Sequence, residues 1–269
     1  MTNDRFHLAL VTFKGGVRDR ILLGVFVAAV ILFFTMPLFS SFSMRDVTGV
    51  AFTYSLSVIS ATGVLLTILI GGTLISRDIQ SRTIYAVATL PISRSRYVLE
   101  KYLGLALLIF CSLAILGALN YCGLKLMEMK YPPDKPLLWG NYFLYLFFDL
   151  EKLLVLSSVL VLFSSVATST FLPMLLTLAV YAVGTTTEKV KYFVETVKGG
   201  ENVSPIIKMI VSAAYYVFPN LQLFDLKVQT VYAMAIDPKV LAFTLFYGIG
   251  YSLIMLMLAC YIFAKRDFI

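Results

Sequence analysis

The stretch "FTYSLSVISATGVLLTILIGGTLIS", Phe52 to Ser76, runs for 25 residues without a charge. About 20 residues at about 1.5 Å rise cross a hydrocarbon core about 30 Å thick, so an uncharged apolar run of this length reads as a membrane-spanning helix. A spanning β-strand needs about ten residues of alternating polarity, and this run does not alternate. A second uncharged run, of 22 residues, extends from Tyr102 to Gly123. Between the two lies an island of different character, "RDIQSRTIYAVATLPISRSRYVLEK" (77–101), holding Arg77, Asp78, Arg82, Arg94, Arg96, Glu100, Lys101 and one proline, Pro91.

Composition agrees with the first reading. The chain is 59% hydrophobic and 14% charged, with a mean hydropathy of +0.88. Soluble domains run near 45–50% apolar and about 25% charged, so an ordinary soluble domain is excluded. Working outward, spans are predicted at 21–42, 52–76, 102–123, 145–167, 171–187 and 240–264. The 35 uncharged residues from Leu153 to Thr187 are too long for one crossing. The interruption "SSVATSTFLP" (164–173), with Pro173 suited to a first helical turn, divides them into a tight hairpin. The residues Asp149, Glu151 and Lys152 are expected near the outer interface, at the start of the fourth span. The first apolar run is too long for a signal-peptide core, so no cleaved signal is expected.

The segment before the first span is predicted to be an amphipathic helix over residues 1–20. Phe6, Leu10, Phe13 and Val17 fall on one helical face, opposed by Arg5, Lys14 and Arg18. A basic helix with an apolar stripe lies along a membrane surface, and Gly15-Gly16 allows a bend before the span. Both termini are placed in the cytoplasm. That arrangement puts eight of the nine arginines inside, Arg45 being the exception. The expected fold is therefore an all-α integral membrane protein of six transmembrane helices, preceded by an amphipathic interfacial helix. Its domain at 21–269 carries a cytoplasmic loop at 77–101 and an extracytoplasmic segment at 188–239. Within that segment a 13-residue run between Pro205 and Pro219 is too short to span. It reads as a re-entrant or interfacial helix, or as part of a cap packed on the spans.

Several chemistries are excluded. There is no GxxxxGK[ST] phosphate loop, no HExxH and no GxSxG, and the one histidine, His7, lies in the N-terminal segment. Cys111, Cys122 and Cys260 fall in or beside spans, with no disulfide framework and no metal-ligand spacing. The net charge of +7 invites a nucleic-acid reading, but a third of the charge lies beside spans, where it sets orientation, so no nucleic-acid partner is expected. Spans one, two, three, five and six hold no Asp, Glu, Lys, Arg or His, whereas ion-coupled transporters place such groups at depth.

The island itself has an apolar helical face of Ile79, Thr83, Val87 and Leu90, with Arg82 and Tyr85 beside it. Pro91 ends that short helix, and Ser93 or Ser95 is expected to cap the next. A short helix with an apolar stripe docks into a partner's groove, or lies on the bilayer or on its own spans. The pattern Asp78, Thr83, "IYAVATL" (84–90), "PISR" (91–94) and Lys101, with the tail "FAKRDF" (263–268) and "FPNLQLFDL" (218–226), resembles the membrane subunit of type-2 ABC exporters, the ABC-2-type permeases. Arg82 stands where that family commonly has glycine. The resemblance implies a multi-pass subunit of a bacterial or archaeal cytoplasmic membrane that pairs with a second permease, as a homodimer or with a similar chain. It implies no cofactor in this chain, with ATP and Mg²⁺ bound by two separate ABC ATP-binding subunits. It also implies a coupling helix contacting them through Arg77, Asp78, Arg82, Thr83, Tyr85, Val87, Pro91, Arg94 and Arg96, with the N-terminal helix alongside.

The small residues Ser157, Ser158, Ser164, Ser165, Gly248 and Gly250 are expected to serve helix packing. The aromatic and methionine side chains Phe33, Phe34, Phe52, Tyr54, Met255 and Met257 are candidates for an amphipathic-substrate path or for lipid contact. A hydrophobic or amphipathic cargo follows. Two other functions stay open: an accessory permease driving a periplasmic maturation or assembly partner, and a secondary transporter without an ATPase.

Overall fold

The computed structural model describes residues 7–42, 46–80, 93–132, 137–196 and 205–266. Among the described residues there are helices and turns and no strand. In chain order the helices are α1 (His7–Val17), α2 (Arg20–Phe34), α3 (Met36–Ser41), α4 (Val47–Gln80), α5 (Arg94–Lys130), α6 (Trp139–Val166), α7 (Phe171–Thr196), α8 (Pro205–Val217), α9 (Lys227–Val231) and α10 (Pro238–Lys265). A 3-10 turn, Leu221–Phe224, precedes α9.

The boundaries have local causes. Asp19 accepts a hydrogen bond from the Ile21 amide (3.0 Å) and starts α2. Ser93 accepts from the Arg96 amide and starts α5. Asp237 accepts from the Lys239 amide, with Pro238 in the first turn of α10. Each side chain satisfies one of the amides that a helix start leaves without a partner. Ser93, not Ser95, is the cap. Gly15 and Gly16 are both inside α1; the chain turns after Val17, because Asp19 supplies the cap there.

Among the described residues, five stretches are long and apolar enough to cross a membrane: Arg20–Ser41, Val47–Thr73, Arg94–Lys130, Phe171–Val194 and Pro238–Lys265. The remaining long helix, α6, has 28 residues, as many as α10. It starts at Trp139, six residues before the expected position, because the aromatic run 139–148 continues the helix. α7 likewise reaches Thr196 rather than ending near 187.

α6 is the core of the bundle, packing against α4, α5, α7 and α10. Its buried tyrosines fasten it to two neighbours. Tyr142 donates to the Gly117 carbonyl of α5 (2.7 Å), and Tyr145 donates to the Leu56 carbonyl of α4 (3.0 Å). Ser157, Ser158, Ser164 and Ser165 are fully buried, and the hydroxyls of Ser157, Ser158 and Ser165 donate to their own helix's carbonyls. Lipid tails are as apolar as leucine, so helices in a bilayer associate through close packing, which small residues permit. Gly248 of α10 is such a contact, since a Cβ there would meet Glu151 Oε1 at 2.5 Å. Gly250 is not, because it faces open space.

α1 lies along α5. Its protein-facing side is Ala9, Thr12 and Gly16, while Leu10 and Val17 of the expected apolar stripe are 47% and 49% exposed. Phe13 is half-buried and packs against the cluster of Leu66, Ile70 and Leu108. Phe6 lies outside the described residues. The contact is close at Gly104, where an added Cβ would sit 2.7 Å from the Ala9 carbonyl oxygen and 2.6 Å from Thr12 Cβ. In the 188–239 segment, α8 is a helix packed on α7, with Ile206, Met209, Ile210 and Tyr216 exposed.

Candidate functional site

The charged island is held at its two bases. Asp78, near the end of α4, accepts from the Tyr97 hydroxyl (2.7 Å) and pairs with Lys101 Nζ (2.7 Å), both on α5. One turn away, Glu100 pairs with Arg96 (2.6 Å) and accepts from the Leu8 amide (3.0 Å) in the first turn of α1. Tyr97 stacks on Phe263 of α10 with ring centroids 5.4 Å apart. Two arginines close the remaining helix ends. Arg94 donates to the Ala264 and Arg266 carbonyls (3.1 and 2.8 Å), and Arg266 donates to the Ser165 and Ala167 carbonyls (2.8 and 3.1 Å). Helix C-termini expose unsatisfied carbonyls, and a guanidinium offers several donors in one plane.

The start of α1, the exit of α4, the entry of α5, the end of α6 and the end of α10 are thus joined at one end of the bundle. Both ends of the described chain lie there. Of the residues assigned to an outside contact, Asp78, Arg94 and Arg96 hold this clamp within the chain. Arg77 belongs to α4. Arg82, Thr83, Tyr85, Val87 and Pro91 lie outside the described residues. Lys14 is exposed on α1. The sequence reading missed Glu100 and Tyr97; a signal was available in their i, i+4 and i+3 spacing from Arg96 and Arg94, at the start of a capped helix.

Replacing Glu100 by alanine is expected to lower stability by about 1.5–3 kcal/mol, the range for a hydrogen bond to a charged group. It is also expected to speed proteolysis at Lys14 by loosening α1. Arg96→Ala, at an exposed partner, is expected to cost about 1 kcal/mol or less. Thermal unfolding in detergent with limited trypsin digestion checks both; equal effects would refute a special role for Glu100.

A second polar site sits in the middle of the bundle. Asp149, Glu151 and Lys152 are 1%, 7% and 5% exposed. They occupy the centre of α6, not the outer interface expected from the sequence. Lys152 pairs with Asp149 and donates to Ser60 Oγ of α4 (2.7 Å). Glu151 faces Gly248 of α10. Lys152 and Asp149 compensate each other at this depth, whereas both Glu151 carboxylate oxygens are buried with no hydrogen-bond partner among the described residues.

The aromatic candidates separate. Phe33 and Phe34 line an apolar cavity of about 860 Å³ with Met36, Leu126 and Lys130. Phe52 is buried in the core, and the Tyr54 hydroxyl lies 2.7 Å from Thr35 Oγ1. Met257 is exposed.

The bundle is that of an all-α, multi-pass integral membrane protein. Residues 17–132 match the family model of the ABC-2 family transporter protein. That stretch runs from the last residue of α1 to just beyond α5 and contains both bases of the island, and the match is consistent with an ABC-2-type permease. The tail at 263–268 and the 188–239 segment lie outside the match. No curated protein matches the chain.

Proposed function

We propose that this chain is the transmembrane subunit of an ATP-driven ABC exporter of a hydrophobic or amphipathic substrate. Two separate ATP-binding subunits hold ATP and Mg²⁺ and dock on loop 77–101. The chain crosses the cytoplasmic membrane six times, with α6 as the crossing that carries buried charge. Both termini and the loop face the cytoplasm, and a second copy completes the permease. The outward stripe of α1, Leu10 and Val17, lies in the membrane boundary. The 860 Å³ apolar cavity beside Phe33 and Phe34 supports an amphipathic cargo.

The observation that carries this reading is the clamp beneath the loop. A force applied to residues 81–92 reaches α4 and α5 at ends already tied by Asp78, Tyr97 and Lys101. It passes to α1 through Glu100 and to α10 through Arg94. Because these joints are short charge-assisted bonds, the helices move together rather than fraying.

The test is a pull-down of the solubilised chain with an ATP-binding subunit encoded beside it. The native chain is expected to retain that subunit stoichiometrically. Val87→Asp, placing a charge on the loop's apolar face, is expected to weaken retention about tenfold or more. Asp78→Asn, which perturbs the clamp but not that face, is expected to retain the subunit. No retention by the native chain, or equal retention by Val87→Asp, would sink the reading. The buried Asp149–Lys152 pair favours one other function, a secondary transporter; transport sustained by the chain with no ATP-binding subunit would establish it.

A further inference from the structure

A cavity of about 290 Å³ lies between α4, α6, α7 and the segment after α8. Lys152 of α6 and Ser60 of α4 form one side. Tyr181 and Lys189, eight residues apart on one face of α7, form another. Gln222, Asp225 and Lys227 close it from the 3-10 turn and the start of α9. Three ammonium groups and one carboxylate therefore bound a polar space that begins at the middle of the bundle.

The charges do not cancel. Lys152 is paired with Asp149, and Lys227 lies 4.0 Å from Asp225. Lys189 forms no ion pair among the described residues. Hydrogen-bond capacity is left over on the same side of the balance. An ammonium has three donors, and Lys152 uses two, on Asp149 and Ser60. The Tyr181 hydroxyl and the Gln222 side-chain amide make no hydrogen bond among the described residues. A polar space with surplus donors and one uncompensated cation attracts an anion, and at its Lys152 end, where the side chain is buried, that attraction is screened less than in bulk water. An adjoining cleft of about 440 Å³ shares Lys189 and Gln222 and is bounded by Lys191 and Tyr215. Glu188, which also lines that cleft, is held by Asn220 (3.0 Å).

From this geometry we infer that the cavity binds one small anionic group, a phosphate or carboxylate, between Lys152, Tyr181 and Lys189. Its volume lies at the lower edge of small-molecule pockets, about 300–1,000 Å³. It therefore takes a single headgroup or small anion rather than an extended cargo. The site differs from the apolar cavity between α2 and α5, and it needs no ATP-binding subunit.

The test uses the full chain purified in detergent without nucleotide. Its unfolding midpoint is followed during titration with inorganic phosphate, with sodium chloride holding ionic strength constant. Parallel arms use acetate and short-chain phosphatidate, with phosphatidylcholine as the uncharged-headgroup control. At least one anion is expected to raise the midpoint saturably. Lys189→Gln is expected to weaken its apparent affinity about tenfold and Lys189→Glu to abolish the shift, as a tenfold change corresponds to one interaction of about 1.4 kcal/mol. Lys189 is exposed, so both variants are expected to fold with native baseline midpoints. A response to phosphatidate alone identifies a lipid headgroup; a response to phosphate or acetate identifies a free anion. No anion-dependent shift, or one that Lys189→Glu leaves unchanged, would overturn the inference. Because no arm contains an ATPase, the result is separate from the test of the exporter reading.

Discussion

Asp149→Leu and Lys152→Met are each expected to destabilise the protein by about 3–5 kcal/mol, the cost of leaving one member of a buried ion pair without its partner. Asp149→Leu combined with Lys152→Met is expected to restore most of that loss. Two desolvated charges are then replaced by side chains that suit the interior, and such replacements are often neutral or stabilising. The physical basis is position. Both residues are almost fully enclosed at the centre of α6, where water does not screen the remaining charge. Unfolding midpoints of the two single variants and the double variant in one detergent form a double-mutant cycle. A strongly positive coupling confirms the pair. Singles that each cost less than about 1 kcal/mol, as exposed pairs do, would show that it is solvated.

The second large effect is expected at Gly104. A leucine there cannot be accommodated, because its Cβ would approach the Ala9 carbonyl oxygen to 2.7 Å, and backbone cannot turn aside as a side chain can. α1 must lift from α5, at a cost of about 1–3 kcal/mol for overpacking. The lift also strains the Leu8–Glu100 bond. Leu10→Ala, on the outward face of α1, is expected to change stability in detergent by about 0.5 kcal/mol or less. Limited trypsin digestion at Lys14, exposed on α1, reports the docking. Cleavage is expected to be faster in Gly104→Leu than in the native chain and unchanged in Leu10→Ala, and faster cleavage of Leu10→Ala would contradict the assigned face.

Much of this architecture was legible in the chain itself. Uncharged runs of twenty or more residues must be helical in a bilayer, since only helices satisfy their own backbone groups there. That argument predicted six spans, five of which correspond to the long apolar stretches among the described residues, and the island between two of them. The sequence also showed the hairpin break before Pro173 and the short helix from Pro205, and it narrowed the cap of α5 to Ser93 or Ser95, of which the structure uses Ser93. The start of α6 was legible too, in the aromatic run "WGNYFLYLFF" (139–148), but the three charges that follow drew the boundary in the wrong place. Hydropathy treats a charge as an edge. It cannot register that Lys152 finds Asp149 on its own helix and Ser60 on another.

The two candidate sites divide in the same way. Local pattern marked the island as unusual, because its charges interrupt long apolar runs. It did not show that Asp78 reaches Tyr97 and Lys101, or that Glu100 reaches the Leu8 amide 92 residues away. The stripe of α1 was readable, yet its protein-facing side was the set of small residues Ala9, Thr12 and Gly16, since close approach to α5 selects for size rather than hydropathy. By itself the sequence determined an all-α membrane protein, its main spans and the place of its charged loop, because solvation by lipid constrains every spanning residue. Only the tertiary structure decided which charges are buried, which face of α1 docks and where the polar cavity lies. Those depend on partners from distant helices, whose relative positions are set by packing and not by local composition.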